Sequence, residues 1–182
     1  MERLETADLV IRPPLPEDAP EAFALMNDPD VRRWNPTRNC PDVATAAQWC
    51  REGADWSDGS HATWNAVLID TGRMVGNVSL FGIDADDLAA KIGYRVLPAA
   101  RGRGVARQMV DAVTRWAFEE RGLMRVQLDH AVPNPASCRV AVAAGFVLEG
   151  TARSAYAVPD GPREDSHIHG RLPGDPGLAG RP

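Results

Sequence analysis

The stretch IGYRVLPAARGRGVA, residues 92–106, joins an apolar run to a long amphipathic segment through a turn rich in glycine and arginine. The run ends at Pro98 and predicts a strand, and the apolar spacing from Val105 predicts a helix. Backbone N–H groups at a helix start lack intrahelical partners, and Gly102 and Gly104 let an anion approach them closely. The stretch therefore predicts a pyrophosphate site. It also carries arginines that can add charge-assisted contacts: Arg101, Arg103 and Arg107.

The rest of the chain alternates between strand and helix patterns. Strands are predicted at Leu9–Pro13, His61–Ile69, Met74–Phe81, Lys91–Leu97, Leu123–Ala131, from Phe146 onward and at Ser166–Leu172. Helices are predicted at 16–27, 43–53, 105–121 and 134–144, with a short helical turn at 31–34 and an acidic loop at 83–90. Short turns join the second, third and fourth strands. The expected fold class is therefore mixed α/β, with a mostly antiparallel central sheet and one βαβ crossover.

Length, composition and charge narrow the class of protein. The 182 residues suit one domain, placed at 1–172, with a flexible tail at 173–182. The net charge of −5 argues against a nucleic-acid binder, and no apolar run is long enough for a membrane span. No leader is expected at the N-terminus, and three cysteines without CxxC spacing fit a cytoplasmic protein. Heavy use of Arg, Ala, Gly and Pro is typical of a GC-rich bacterial genome.

Three known glycine-rich phosphate loops can be compared with the turn. A Walker A loop needs a lysine after its last glycine, but Val105 follows Gly104. A dinucleotide-binding fingerprint needs a third glycine where Arg107 stands, and it occurs early in its fold rather than after three strands. The remaining pattern, Arg101-x-x-Gly104-x-Ala106, matches the [QR]xxGx[GA] loop of acyl-CoA-dependent N-acetyltransferases.

Two further stretches accompany this loop in the order and spacing of that family. LVIRPPLPEDAPEAFALMNDPDVRRW, residues 9–34, resembles its opening, and NPASCRVAVAAGFVLEG, residues 134–150, resembles its closing helix and strand. The chain is thus similar to the GNAT superfamily, and within it to the RimJ/RimL-type ribosomal-protein N-terminal acetyltransferases, over residues 4 to 172. The resemblance implies a GNAT-like acyl-CoA N-acyltransferase fold with acetyl-CoA as the donor co-substrate.

The resemblance also implies which residues hold the donor. Val96 would lie where its strand splays from the next one, and the acyl arm would enter that gap. Asn134 would contact the pantetheine arm, although an asparagine at this position can also cap the helix that follows. The implied CoA-binding residues are Val96, Arg101, Gly102, Arg103, Gly104, Val105, Ala106, Asn134 and Ser137.

Acyl transfer to an amine needs a proton donor for the leaving thiolate. Many relatives carry a tyrosine seven residues after the asparagine, where this chain has Ala141. The N-terminal acetyltransferase branch instead has a serine three residues after it, and Ser137 fits that position; a serine that only caps the helix is the alternative. Cys138 is expected to be a buried helix thiol rather than a nucleophile, so we expect direct transfer in a ternary complex.

The general base has no direct match in this chain, because relatives often carry an acidic residue two positions before the Gly-Tyr pair and this chain has Lys91 there. Asp129 and His130, at the end of the strand before Asn134, are the substitutes, and strand alternation predicts that one of them faces the cleft. His130 has the more suitable intrinsic pKa. The weaker candidates are Glu149, Tyr156 and His167.

Two other groups of residues lie outside these motifs. Core packing is expected for the tryptophans, although Trp34 or Trp56 could line the acceptor site. His167 and His169 alternate along a strand, but no third ligand stands at a clear spacing, so no metal site is expected.

The expected function is transfer of an acetyl group to a primary amine, either a protein N-terminal α-amine or a small-molecule amine. Succinyl-CoA is an alternative donor. A non-catalytic acyl-CoA sensor or interaction module on the same fold is the rival function, which Lys91 in place of an acidic residue keeps open. No nucleic-acid or membrane partner is expected, and a homodimer is left open.

Overall fold

Eight strands of the described residues form one sheet. The computed structural model describes residues 3–35, 39–159 and 161–175. The strands are β1 (Leu4–Glu5), β2 (Leu9–Arg12), β3 (His61–Leu68), β4 (Met74–Asp84), β5 (Ala89–Val96), β6 (Arg125–Ala131), β7 (Val147–Tyr156) and β8 (Glu164–Arg171). They lie in the order β1-β2-β3-β4-β5-β6-β8-β7. Strands β5 and β6 pair in parallel, and the other neighbouring pairs in the described part of the chain are antiparallel.

Helices cover both faces of this sheet. They are α1 (Ala19–Asn27), α2 (Pro29–Trp34), α3 (Val43–Ala54), α4 (Val105–Glu119) and α5 (Pro135–Ala143). On β3, Trp64 packs against Trp116 of α4 with ring centroids 4.9 Å apart. The adjacent Asn65 points the other way and donates a hydrogen bond of 2.8 Å to Asp18, which precedes α1. Successive strand residues face opposite sides, so α4 and α1 lie on opposite faces of the sheet.

Helix α4 is the crossover between the parallel strands β5 and β6, as predicted. Its predicted apolar face is at most 4% exposed and consists of Val105, Met109, Val113 and Trp116. Burial of each such side chain stabilises the fold by roughly 1.5–3 kcal/mol. Gly122, with a φ of 63°, follows the helix in the left-handed conformation expected of a helix-ending glycine. The mixed α/β, mostly antiparallel fold class is confirmed.

The hairpin between β4 and β5 is longer than predicted. β4 continues to Asp84 and β5 begins at Ala89, so the acidic loop expected at 83–90 is only four residues long, 85–88. Gly82 has a φ of 56°, and the strand register shifts around it before Asp84 pairs with Ala89. Such a bulge interrupts the alternation of side chains, which is why the alternating pattern hid the end of the strand.

Smaller differences concern element ends. β1 was not predicted, and β6 begins at Arg125 rather than at Leu123. Part of the loop expected at 35–41, and residues 176–182 of the expected tail, lie outside the described residues. The domain bounds 1–172 stay a prediction. No helix of the described ranges has the length and apolar content needed to cross a membrane.

Candidate active site

A cleft opens where β5 and β6 separate. The two strands pair over three residues each, Ala89–Lys91 with Arg125–Gln127. Beyond them β5 stays paired with β4 as far as Val96, while β6 continues along β8. The gap therefore begins at Ile92, four residues earlier than the position of Val96 suggested. It widens into a cavity of about 820 Å³ that Val96 also lines.

The glycine-rich turn forms one wall of this cavity. Gly102 and Gly104 adopt left-handed conformations, with φ values of 74° and 78°. Gly104 is the N-cap residue of α4 and offers no side chain to the helix start. The N–H groups of residues 102–105 have no hydrogen-bond acceptor in the described part of the chain. Val105 and Ala106 continue the same wall. The turn thus presents a row of free donors at the positive end of a helix dipole.

Arg101 lies in this turn, but its guanidinium is already engaged. Nε donates to the Val96 carbonyl oxygen at 3.1 Å, and Nη1 donates to Asp30 at 2.7 Å. Nη2 donates to Asp28. The Arg101 side chain therefore ties the turn to α2, and its backbone N–H donates to the Pro98 carbonyl oxygen at 3.2 Å, so the free donors of the turn begin at residue 102. This corrects the expectation that its guanidinium would contact the phosphates.

Other arginines near the turn are unpaired. Arg103 and Arg107 form no hydrogen bond or ion pair with any described residue, and neither does Arg139 of α5. Arg107 and Arg139 border the cavity, whereas Arg103 does not. Arg139 was missed in the sequence because its helical position alone does not show that α5 faces the cleft.

Helix α5 begins on the opposite wall of the cavity. Asn134 is its N-cap residue, and Oδ1 accepts a hydrogen bond of 3.2 Å from the Ser137 N–H. The capping role is therefore present. The Asn134 side-chain nitrogen has no partner among the described residues and remains free for a ligand.

Ser137 does not cap the helix with its hydroxyl. Its Oγ instead lies 2.9 Å from the Tyr94 Oη, which reaches it from β5. Burial raises the pKa of Tyr94 to about 12, although the hydrogen bond with Ser137 opposes this rise. Both hydroxyls therefore carry their protons near neutral pH. Tyr94 was noticed in the sequence only as part of the Gly-Tyr pair, and its strand supplies the tyrosine hydroxyl that Ala141 cannot.

Asp129 lies beside Lys91, the residue found where an acidic one was expected. The Lys91 Nζ donates to Asp129 Oδ2 at 3.1 Å, and the Gln127 side chain donates to the same carboxylate at 2.9 and 3.0 Å. The Asp129 side chain is 27% exposed and borders the cavity. A carboxylate is thus present in this region, but on β6 rather than on β5.

His130 also borders the cavity, so the expectation that only one of the two neighbours would face the cleft is wrong. Its Nδ1 lies 2.9 Å from the Ala131 carbonyl oxygen and its Nε2 lies 3.2 Å from the Nε2 of His169. Burial lowers the pKa of His130. The ring is neutral near pH 7, and both of its nitrogens have partners within the protein.

The weaker candidates lie in the cavity, in the core and at the surface. Trp34 lines the cavity, and the Tyr156 hydroxyl donates to its carbonyl oxygen. Trp56 packs with ring centroids 4.6 Å from Trp64, so it belongs to the core. Glu149 is paired with Arg125.

Two further residues lie beside His167 and His169, although their positions in the sequence do not indicate it. The fold brings His130 from β6 and Cys138 from α5 to the same place. The expectation of no metal site rested on the lack of a third ligand at a recognisable spacing. His130 and Cys138 are further possible ligands, and strand pairing and helix packing rather than spacing along the chain place them there.

Comparison with known proteins identifies the class of enzyme that has this fold and cleft. The chain belongs to the GNAT acetyltransferase family, since the model of the acetyltransferase (GNAT) domain matches residues 8–147. An uncharacterized N-acetyltransferase of Bacillus subtilis, YoaA, is 25% identical over 167 residues, which cover 91% of this chain and 94% of that protein.

One further relative and one solved structure of the same fold carry names that include a substrate. The ribosomal-protein-serine acetyltransferase of Escherichia coli is 28% identical over 106 residues, covering 58% of this chain and 59% of that protein. The solved structure of RimL, a ribosomal L7/L12 α-N-protein acetyltransferase in complex with coenzyme A, superposes with a TM-score of 0.83 at 20% identity. It covers 94% of this chain and 98% of that one, which shows the shared fold.

Proposed function

We propose that this N-acetyltransferase uses acetyl-CoA and acts on the N-terminal α-amine of a protein. The observation that carries the donor is the uncapped start of α4, whose free N–H groups line the cavity. A pyrophosphate is the part of CoA that such a helix start binds best. The CoA complex of the similarly folded RimL supports the same donor.

The two walls of the cavity would hold different parts of the donor. Residues 102–106 would bind the pyrophosphate through their backbone, and Arg107 and Arg139, which border the cavity, would contact the phosphates of CoA. The pantetheine arm would enter the gap that begins at Ile92, where the Asn134 amide nitrogen is free to donate. A backbone N–H near Val96 would stabilise the oxyanion that forms during transfer.

Proton transfer would involve both sides of the cleft. When the amine attacks the thioester carbonyl, an N–C bond forms, the C–S bond breaks and a thiolate leaves. Ser137 would give its proton to that thiolate and recover one from Tyr94, because the two hydroxyls are hydrogen bonded, and Tyr94 would regain a proton from solvent when the products leave. Of the two base candidates we prefer Asp129, because a carboxylate oxygen can accept a further hydrogen bond beside those from Lys91 and Gln127, whereas both nitrogens of His130 are occupied.

An α-amine is the acceptor that fits this modest machinery. Its usual pKa is about 7.7–8.0 against about 10.4 for lysine, which leaves it roughly 3.4 kcal/mol closer to the reactive neutral form at pH 7. The names of the relatives given above also favour a ribosomal-protein N-terminus. The cysteines of the chain are unpaired thiols, which suits an enzyme of the cytoplasm.

The test is thiol release with a panel of acceptors. Short peptides with free N-terminal serine or alanine should release CoA from acetyl-CoA, whereas the same peptides with a blocked N-terminus and an internal lysine should not. Polyamines and succinyl-CoA extend the panel to small acceptors and a longer donor. Binding of CoA without release on any amine would contradict the proposal and favour a sensor.

A further inference from the structure

A cluster of three histidines and one cysteine lies beside the cleft. His167 and His169 are two residues apart on β8 and so share a face, and His130 of β6 pairs directly with His167. Cys138 reaches them from α5. One ligand atom of each of the four residues lies within 4.8 Å of the corresponding atoms of the other three.

One pair of ring nitrogens in the cluster is spaced as two ligands of one metal ion are. The Nε2 atoms of His130 and His169 are 3.2 Å apart. Nitrogens bound to a tetrahedral zinc ion at about 2.0–2.1 Å lie about 3.3 Å from each other. The His130 Nδ1 lies 2.9 Å from the Ala131 carbonyl oxygen, so its proton is held on that side and the Nε2 lone pair faces the cluster.

The protein does not satisfy the cluster by itself. The Nδ1 atoms of His167 and His169 are buried without a hydrogen-bond partner in the described part of the chain. Buried polar atoms are usually paired, and an unpaired one is costly. Two facing ring nitrogens can share only one proton, and a cation bound between them would take the place of that proton.

We propose that His130, Cys138, His167 and His169 bind one zinc ion. Three imidazole nitrogens and one thiolate are a borderline-soft donor set that suits Zn²⁺. No acidic residue is part of the cluster, which disfavours Ca²⁺ and Mg²⁺. Neutral imidazoles bind without losing a proton, and the Cys138 thiol releases one proton to solvent as the Zn–S bond forms.

A zinc ion at this site would stabilise the fold rather than take part in catalysis. Four protein ligands leave no open position, as in zinc sites that stabilise folds rather than catalyse reactions. The ion would join β6, β8 and α5 at one point. Cys138 is adjacent to Ser137, so the ion would also hold the start of α5 in place on its wall of the cleft.

The first experiment measures metal in the full chain. Protein stripped with a chelator and titrated with Zn²⁺ should bind one equivalent and unfold at a higher temperature. Replacement by Co²⁺ should give a tetrahedral visible spectrum with a thiolate charge-transfer band. Failure to bind one equivalent of Zn²⁺, or a Co²⁺ spectrum without thiolate character, would overturn the proposal.

Variants then locate the ion. Cys138→Ser and His167→Gln alter half-buried positions. Each should weaken Zn²⁺ binding at least about 100-fold, since changes even around metal ligands cost 10–100-fold. Cys138→Ser should also abolish the thiolate band. The matched control is His61→Gln, which removes the one histidine outside the cluster and should bind Zn²⁺ unchanged. Equal affinity in all three variants would place the ion elsewhere.

Alkylation of the unaltered chain gives a readout that does not depend on a variant folding. Iodoacetamide should label Cys138 in the stripped protein and be blocked by Zn²⁺, as measured by peptide mass spectrometry. Cys40 and Cys50 are buried and serve as internal references. Labelling of Cys138 that Zn²⁺ leaves unchanged would contradict its role as a ligand.

Discussion

Helices α4 and α5 both begin at the cleft, but their first residues treat the helix start differently. Gly104 gives α4 no side-chain cap, so its leading N–H groups are open to the cavity. Asn134 caps α5 and satisfies the Ser137 N–H within the protein. The positive end of the helix dipole is therefore free for a ligand at the start of α4, which we call the open start. At α5 the Asn134 side chain closes the helix start, and the Ser137 hydroxyl is held beside Tyr94.

The largest effect on CoA affinity is expected from a side chain that occupies the open start of α4. Gly104→Asp places a carboxylate where the pyrophosphate would bind, and like charges in contact cost several kcal/mol, so CoA affinity should fall several hundredfold. An added Cβ has room, with Gln108 Nε2 as its nearest contact at 3.9 Å. Isothermal titration with CoA measures the change.

Gly104→Asn is the matched control for this change. Asparagine has the shape of aspartate and tolerates the left-handed conformation, but it carries no charge. It should lose only a few-fold in affinity. If the Asp and Asn variants bind CoA equally, charge at the helix start is not what the ligand detects.

The second-largest effect is expected from removal of the Ser137 hydroxyl at the capped start of α5, which should slow turnover. Ser137→Ala should lower kcat about 100-fold, as expected for loss of a proton donor, and leave the KM for acetyl-CoA nearly unchanged. Steady-state thiol release measures both constants.

The partner of that hydroxyl provides the check. Tyr94→Phe should also lower kcat, and the double variant should be no slower than the slower single one, because residues that act as a unit are not additive. Unchanged turnover in Ser137→Ala would show that the thiolate receives its proton from another source.

Removal of the Asn134 cap at the start of α5 should have a smaller effect. Asn134→Ala should lower the free energy of unfolding by about 1 kcal/mol through loss of the cap. It should also weaken CoA binding several-fold, because the side-chain amide donor is lost. Asn134→Ser keeps a capping oxygen and removes only that donor. It should therefore retain stability and lose affinity; if it loses neither, Asn134 is a cap alone.

The smallest effects belong to the exposed arginines on the two walls. Arg107→Ala and Arg139→Ala should each weaken CoA binding up to about five-fold at low salt, as for exposed ion pairs. The loss should shrink as salt is added, because these charges are screened. Arg51→Ala on α3, outside the cavity lining, is the control and should bind normally. A salt-independent loss would indicate a packing role instead.

The sequence predicted the elements on the α4 side better than the contacts of the rest of the site. The strand before the turn and the helix after it follow from local residue types, and the glycines expected to let an anion approach adopt positive φ. The contacts of Tyr94 with Ser137 and of Lys91 with Asp129 depend on how separate strands and helices are placed. No local pattern encodes such contacts.

The histidine–cysteine cluster shows the same limit. His167 and His169 share a face by simple alternation, which the sequence revealed. Recognition of His130 and Cys138 as their neighbours needed the β6–β8 pairing and the packing of α5. The side chain of Arg101 was misjudged for a similar reason, because Asp28 and Asp30 approach it only in the folded chain.

The open start of α4 is tested most directly by the backbone amide signals of Gly102 and Gly104 in ¹⁵N-labelled protein titrated with CoA. We predict that both amide protons shift strongly downfield as they donate to the pyrophosphate, and that Gly104→Asp abolishes the shift of Gly102. If CoA binds and moves other resonances while these two stay in place, the pyrophosphate lies elsewhere and α4 does not form its site.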